Sequence, residues 1–210
     1  MFHKEEIFTR YPALEGCREQ LEEALQILVD TARAGGQVLV CGNGGSAADS
    51  EHIVGELMKG FLKKRPLTEQ EVAKWEAAFG EEGAATAKGL QGGIRAISLP
   101  SQVALLSAVC NDNDPSTIYA QLAWTYAREG DVLIGISTSG NAKNVLAAAR
   151  AAKVKGAKVI GLTGSRESKL SGVADVTVRV PDTETYRIQE YHLPVYHWLC
   201  ALVEEAMFEV

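Results

Sequence analysis

The order of elements along the chain predicts an α/β fold: a three-layer sandwich with a five-stranded parallel sheet flanked by helices. Three observations carry this reading. Apolar runs at 38–41, 94–99, 131–136, 159–162 and 176–180 have the length and aliphatic content of buried strands. Segments with helical spacing separate them, and strands alternating with helices pair in parallel. Gly, Pro and Ser/Thr clusters fall at the junctions. With 210 residues, 46% of them hydrophobic, the chain has the material for one substantial core. One domain over 1–210 is expected, with an inserted excursion at about 63–93.

The first helix is marked by Leu14, Cys17, Leu21, Ala24, Leu25, Leu28 and Ala32, and stops before Gly35-Gly36. The first strand then runs into Gly42-Asn43-Gly44-Gly45, where Ser46 is placed to cap the next helix. A strand, a Gly-rich loop and a helix N-terminus direct free amides and the helix dipole at one point, which suits a phosphate. The following helix carries Asp49, His52 and Glu56. His52 and Glu56 are four apart and share a face, as a metal pair, an acid–base pair or a solvated pair would. Gly42-x-Gly44-x-x-Ala47 also fits a loose dinucleotide fingerprint, which expects an acidic residue about 20 positions on. The basic Leu62-Lys63-Lys64-Arg65 stands near there instead.

In the excursion, Thr68-x-x-Glu71 forms a capping box for a helix through Trp75 and Phe79 that ends at Gly80. The remaining GEEGAATAKGLQGG reads as a surface loop. Beyond the second strand come a helix at 102–109, the polar run 111–115 and a helix at 117–128. The third strand breaks into Ser137-Thr138-Ser139-Gly140-Asn141 ahead of a helix at 142–154. In such sheets ligands lie outside the carboxyl ends of the strands. The loops after the first and third strands are thus expected to converge on one phosphate. The last helix, from about 183 to 208, carries Gln189, His192 and His197. Its apolar residues, Trp198, Leu199 and Leu202 beside Tyr191 and Val195, exceed one buried face and argue for association.

Composition narrows the class. A net charge of −6 with no basic stripe argues against nucleic-acid binding. Four scattered cysteines without a CxxC read as thiols in a reducing compartment. No signal-peptide core and no membrane-length apolar run are seen, so a soluble cytoplasmic protein, away from membranes, is expected.

CGNGGS, the following Asp-x-x-His-x-x-x-Glu, STSGN after GDVLIGI, and RIQExH-x4-H resemble the phosphoheptose isomerases of the sugar isomerase (SIS) domain superfamily. The resemblance implies a flavodoxin-like or Rossmann-like SIS domain. It implies an aldose–ketose isomerase converting sedoheptulose 7-phosphate to D-glycero-D-manno-heptose 7-phosphate, the first committed step towards heptoses of surface polysaccharide. It also implies a homotetramer with one zinc ion per subunit. His52, Glu56, Gln189 and His197 would be the zinc ligands, Glu56 also the base and His197 the acid. Ser46, Ser137, Thr138 and Ser139 would hold the phosphate. Asn43, Gly44, Gly45, Asp49, Asp112, Asn141 and Gln189 would contact the sugar or support the site. Three positions depart from the pattern. Ala142 replaces the last serine of STSGNS, Lys59-Gly60 replaces a Gly-Arg pair, and the 63–93 excursion is long.

Other readings remain at this point. A non-catalytic SIS protein that binds the replication initiator lacks the catalytic glutamate and final histidine, both present here as Glu56 and His197. A phosphosugar-sensing regulator would carry a DNA-binding segment, and none is appended. An isomerase of another phosphosugar is the third. Gln189 and His197, eight residues apart, are separated by about 12 Å and roughly 80° on a straight helix. They meet one ion only if their side chains converge or Pro194 bends the helix; otherwise they serve sites in different subunits.

Overall fold

The computed structural model describes residues 4–208. The strands are β1 (Val38–Cys41), β2 (Ala96–Ser98), β3 (Val132–Ile136), β4 (Lys158–Thr163) and β5 (Val176–Arg179). They form one parallel sheet in the order β2-β1-β3-β4-β5. The winding reverses between β1 and β3, so the crevice of this doubly wound sheet opens above their carboxyl ends.

Eight α-helices are described: α1 (Glu6–Arg10), α2 (Arg18–Arg33), α3 (Gly45–Met58), α4 (Glu69–Lys88), α5 (Val103–Asp112), α6 (Ile118–Tyr126), α7 (Lys143–Val154) and α8 (Thr185–Met207). Successive strand residues point to opposite faces, and two cores result. Val38, Val40, Ile134, Ile136, Ile160 and Leu162 pack beneath α1, α2, α3 and α8. Leu39, Cys41, Leu133 and Val159 pack against α6 and α7. Because both faces are covered, β1 and β3 are buried throughout, as their unbroken apolar sequences require.

Three expectations need correcting. Ser46 does not cap α3: the helix begins at Gly45, with Gly44 as the capping residue, and the Ser46 side chain is buried inside the first turn. The stretch 81–88 is helical rather than a loop. Gly80 takes φ +64° and ψ −151°, which breaks α4 into two arms. The Glu, Ala and Lys residues beyond it are strong helix formers, so the helix resumes. The capping box of Thr68 and Glu71 is formed, with Glu71 N 3.3 Å from Thr68 Oγ1 and Thr68 N 2.8 Å from Glu71 Oε2.

The third correction concerns the apolar excess of α8. Val195, Trp198 and Leu199 are buried within the chain itself. Phe8 of α1 meets Trp198 edge-on at 6.3 Å, and the Trp198 indole donates to the Lys4 carbonyl at 2.9 Å. A short N-terminal helix thus covers Trp198, while Tyr191 and Leu202 of the same apolar set stay half-buried. Exposed apolar side chains lie at Phe79, Val103, Trp124 and Val154, and on α8 at Tyr186 and Leu193.

Candidate active site

The loops that end β1 and β3 lie side by side and are fastened together. Asn43 and Asn144 exchange two amide hydrogen bonds, at 2.9 Å and 2.8 Å. Tyr119 donates to the Gly42 carbonyl at 2.8 Å from below. A Cβ at Gly45 would stand 2.6 Å from Gln189 Nε2, so the absence of a side chain lets Gln189 of α8 lie directly on the loop. Ser46 and Ser137 are buried, Thr138 is half-buried, and Ser139 and Asn141 are exposed. Asn141 bonds the Ser139 carbonyl at 2.8 Å and accepts from the Lys169 amide at 3.1 Å, which fixes the second loop. Thr138, Ser139 and Asn141 line a cleft of about 290 Å³ that continues to Arg166 and Thr183.

One turn into α3, the acid–base residues meet α8. His52 Nε2 lies 3.1 Å from Glu56 Oε1 and 3.4 Å from His197 Nε2. His52 Nδ1 lies 3.0 Å from the Tyr196 hydroxyl, which donates to Asp49 Oδ1 at 3.2 Å. The His52, Tyr196 and His197 rings meet edge-on at 4.9–5.4 Å, and Phe61 adds a fourth ring against His197. Glu56 Oε2 is buried without a hydrogen bond, and Lys59 Nζ stands 3.5 Å from it.

Burial and the neighbouring His52 hold the His197 imidazole below its usual range, with Glu56 opposing. Burial also raises the Asp49 carboxyl, against the pull of Tyr196 and His52. The Tyr196 phenol is raised well above its usual range by burial and by Asp49, so it keeps its single proton.

The last turn of α3 is clamped from behind. Buried Arg65 donates to the carbonyls of Leu57, at 2.7 Å, and Glu56, at 3.1 Å, and to Glu204 Oε1 at 2.7 Å. Glu204 also accepts the amides of Phe61, Leu62 and Lys63 at 2.8–3.0 Å. Burial works against the Glu204 charge, but these amides and Arg65 hold its carboxyl below the usual range. The pair fixes both the end of α3 and the point where the chain leaves for the excursion.

His52, Glu56, His197 and Asp49 are therefore brought together. Gln189 is not in contact with them: α8 runs unbroken through Pro194, and Gln189 faces Gly45 while His197 faces His52. Asp112 is exposed at the end of α5, where it accepts only from the Asn111 amide among the described residues. His192 is fully buried near the Thr163 carbonyl at 3.5 Å, and burial pushes its imidazole down to about 4.

Tyr196 was missed in the sequence, where a tyrosine within the apolar stripe of a helix reads as core. Asn144 was missed as well, since an Asn in the first turn of a helix reads as a local cap. A Ser/Thr loop followed by Asn three residues after Gly-Asn was the only available signal for it.

The donor chemistry of His52, Glu56 and His197 suits a zinc ion. Two separations, 3.1 Å and 3.4 Å, approach the edge of roughly 3.3 Å of a tetrahedron with 2.0–2.1 Å bonds. Glu56 Oε2 accepts no hydrogen bond and has Lys59 Nζ beside it at 3.5 Å. Among the described residues, however, no three His, Cys, Asp or Glu side chains close into a cage.

Two SIS domain family models match the chain, over residues 12–104 and 98–194. The phosphoheptose isomerase of Rhodospirillum rubrum is 39% identical over 92% of this chain and 89% of its own length. That of Thermodesulfovibrio yellowstonii is 36% identical over 90% and 82%. Among solved structures, the phosphoheptose isomerase of Neisseria gonorrhoeae superposes with a TM-score of 0.74 at 29% identity, covering 96% of this chain and 94% of that one. That of Francisella tularensis gives 0.73 at 27% identity, over 98% and 100%. At these identities and coverages the chain belongs to the phosphoheptose isomerase family of SIS-domain enzymes.

Proposed function

We propose that the protein converts sedoheptulose 7-phosphate to D-glycero-D-manno-heptose 7-phosphate through a cis-enediol, supplying heptose for surface polysaccharide. The observation that carries this reading is the contact of His52 with both Glu56 and His197 one helical turn from two Asn-fastened phosphate-type loops. The phosphate would sit on the loop amides, with Ser46, Ser137, Thr138 and Ser139 around it. Asn43, Gly44, Gly45, Asn141 and Gln189 would line the sugar's path, and Asp49 and Asp112 would support it.

Anchored there, C1 and C2 would reach Glu56. Its carboxylate takes the C1 proton while the C2 carbonyl oxygen receives a proton from His197, giving the enediol. O1 then returns a proton to His197 as the C1 carbonyl forms, and Glu56 delivers its proton to C2. Both groups end as they began.

His52, Glu56 and His197 would hold one zinc ion per subunit. When bound, zinc would supply Lewis-acid polarisation of the sugar oxygens. A homotetramer in the cytoplasm completes the reading. It is supported by exposed apolar side chains such as Val103 and Trp124 and, for location, by the absence of any helix long and apolar enough to cross a membrane among the described residues.

The test is a coupled assay offering sedoheptulose 7-phosphate beside other ketose phosphates, before and after chelation and zinc return. Turnover confined to the heptulose, lost on chelation and regained with zinc, is expected. Turnover of another ketose only would redirect the substrate. Full activity in protein shown by elemental analysis to lack metal would remove the zinc.

A further inference from the structure

The loops that end β1 and β3 leave the sheet at the crevice between its two halves, where the strand ladder no longer holds them side by side. The second loop is anchored on its far side: the Gly164 amide donates to the Thr138 carbonyl and the Leu170 amide to the Gly140 carbonyl, both at 3.0 Å. The first loop is held from below by Tyr119. Among the described residues, the two bonds between Asn43 and Asn144 are the only hydrogen bonds that join 42–45 to 137–144. Their sense is fixed by a third bond. Ala142, at the start of α7, offers no side-chain cap, and the Val145 amide donates instead to Asn144 Oδ1 at 2.9 Å. That oxygen accepts twice, from Val145 and from Asn43, while Asn144 Nδ2 donates to Asn43 Oδ1. An aspartate at 144 would lack the donor, and a serine the reach.

We propose that Asn144 is a positioning residue acting through Asn43: the reciprocal amide pair sets the spacing of the two loops for the phosphate of the substrate. Donors on both loops must converge on one anion. Hydrogen bonds weaken steeply with distance and angle, so loops free to part would meet the phosphate with one set of donors at a time, and ordering them would cost affinity. Neither asparagine is hydrogen-bonded to His52, Glu56 or His197. Losing the pair therefore weakens binding and spares the proton transfers. This role rests on the phosphate reading of the loops, and its kinetic half also on the isomerase reading.

The experiment titrates the full chain with inorganic phosphate, read by ³¹P line broadening, and then measures turnover of sedoheptulose 7-phosphate. Asn144→Ala should weaken phosphate binding by about 10-fold, the scale of two neutral hydrogen bonds lost. Asn144→Ser keeps an oxygen near the Val145 amide but does not reach Asn43. It should weaken binding as much, which separates the pair from the start of α7. Asn43→Ala should match them. The double variant, Asn43→Ala with Asn144→Ala, should bind no more weakly than the weaker single one, because each change already removes the whole pair. In turnover, Asn144→Ala should raise KM by about 10-fold with kcat held within a few-fold. Circular dichroism and the urea midpoint establish the fold of each variant.

Phosphate affinity unchanged in folded Asn144→Ala and Asn144→Ser would overturn the positioning role while leaving the phosphate reading in place. Losses that multiply in the double variant would overturn it too, since the two asparagines would then act separately. A fall in kcat with KM unchanged would move Asn144 from binding to the chemistry and overturn it as well. An unmutated chain that binds no phosphate would remove the role together with the phosphate reading. A chain without isomerase activity that shows the coupled loss of phosphate affinity would uphold the positioning and remove only the enzymatic reading.

Discussion

His192 and His197 stand five residues apart on one helix and occupy two different media. His192 points into the sheet, fully buried, near a single backbone carbonyl. His197 points across to α3, half-buried, and meets another histidine, a tyrosine and a phenylalanine. Burial lowers both imidazoles, but His192 has no ionisable neighbour among its hydrogen-bond partners, whereas His197 feels His52 and Glu56. The sequence around them does not separate the two. What separates them is the element across the helix: β4 gives His192 a place to pack, and α3 gives His197 something to react with.

The largest effect expected is on the reactive side. Glu56→Gln keeps size and hydrogen bonding but removes the basic oxygen, and turnover should fall by about 10²–10⁴-fold. Phosphosugar affinity and circular dichroism should hold, since the phosphate loops and the core lie elsewhere. Near-normal turnover in this variant would mean that the meeting of His197 with α3 has no catalytic content.

Next in size is the clamp at the far end of α8. Glu204→Gln leaves the fully buried Arg65 charge without its partner. Removing one member of a buried pair typically costs about 3–5 kcal/mol, so the urea midpoint should drop sharply. An unchanged midpoint would show that the amides of 61–63 and the α3 carbonyls alone fix this corner.

The packing side of the comparison makes a claim about acid. His192 has a folded-state pKa of about 4, below the ordinary 6.5. The unfolded chain therefore binds more protons between these values. Stability from keeping His192 neutral is complete above about pH 6.5 and is lost as pH falls through 4. The loss is on the order of 3 kcal/mol. His192→Leu should flatten the stability profile in this window while leaving turnover at neutral pH within a few-fold. A profile as steep as before, or turnover lost with the fold intact, would make His192 the equal of His197.

The smallest effect lies outside both environments. Thr68→Ala removes the capping box of α4 and should cost about 1 kcal/mol, read as faster amide exchange in 69–79 alone. Exchange spreading to α8 would tie the excursion to the core more closely than its contacts suggest.

Much of this was legible in the chain. The strands announce themselves because both faces of the sheet are covered, so each is apolar without alternation. The two loops could be placed because parallel topology puts every carboxyl end on one edge. Glu56 and His52 share a face by spacing alone. The illegible parts depend on partners distant in sequence. Lys4 meets Trp198, Asn43 meets Asn144, and Tyr196 meets Asp49 and His52. Local pattern also misread 81–88, where glycines on either side suggested a loop although the residues between favour a helix.

The root of the excursion has a consequence for how this chain tolerates change. Pro66 and Gln91 pair as an isolated antiparallel bridge, and the Gly92 amide donates to the Arg65 carbonyl at 2.7 Å. The polypeptide thus departs and returns through a gate one residue pair wide, fastened beneath by Glu204. Whatever is spliced between 67 and 90 inherits closed ends, and for a flexible insert each doubling of length adds only about 0.6 kcal/mol of closure entropy. The kink at Gly80, which breaks α4 between two exposed arms, is a natural port for grafting a reporter or a second module onto a working sugar-phosphate fold.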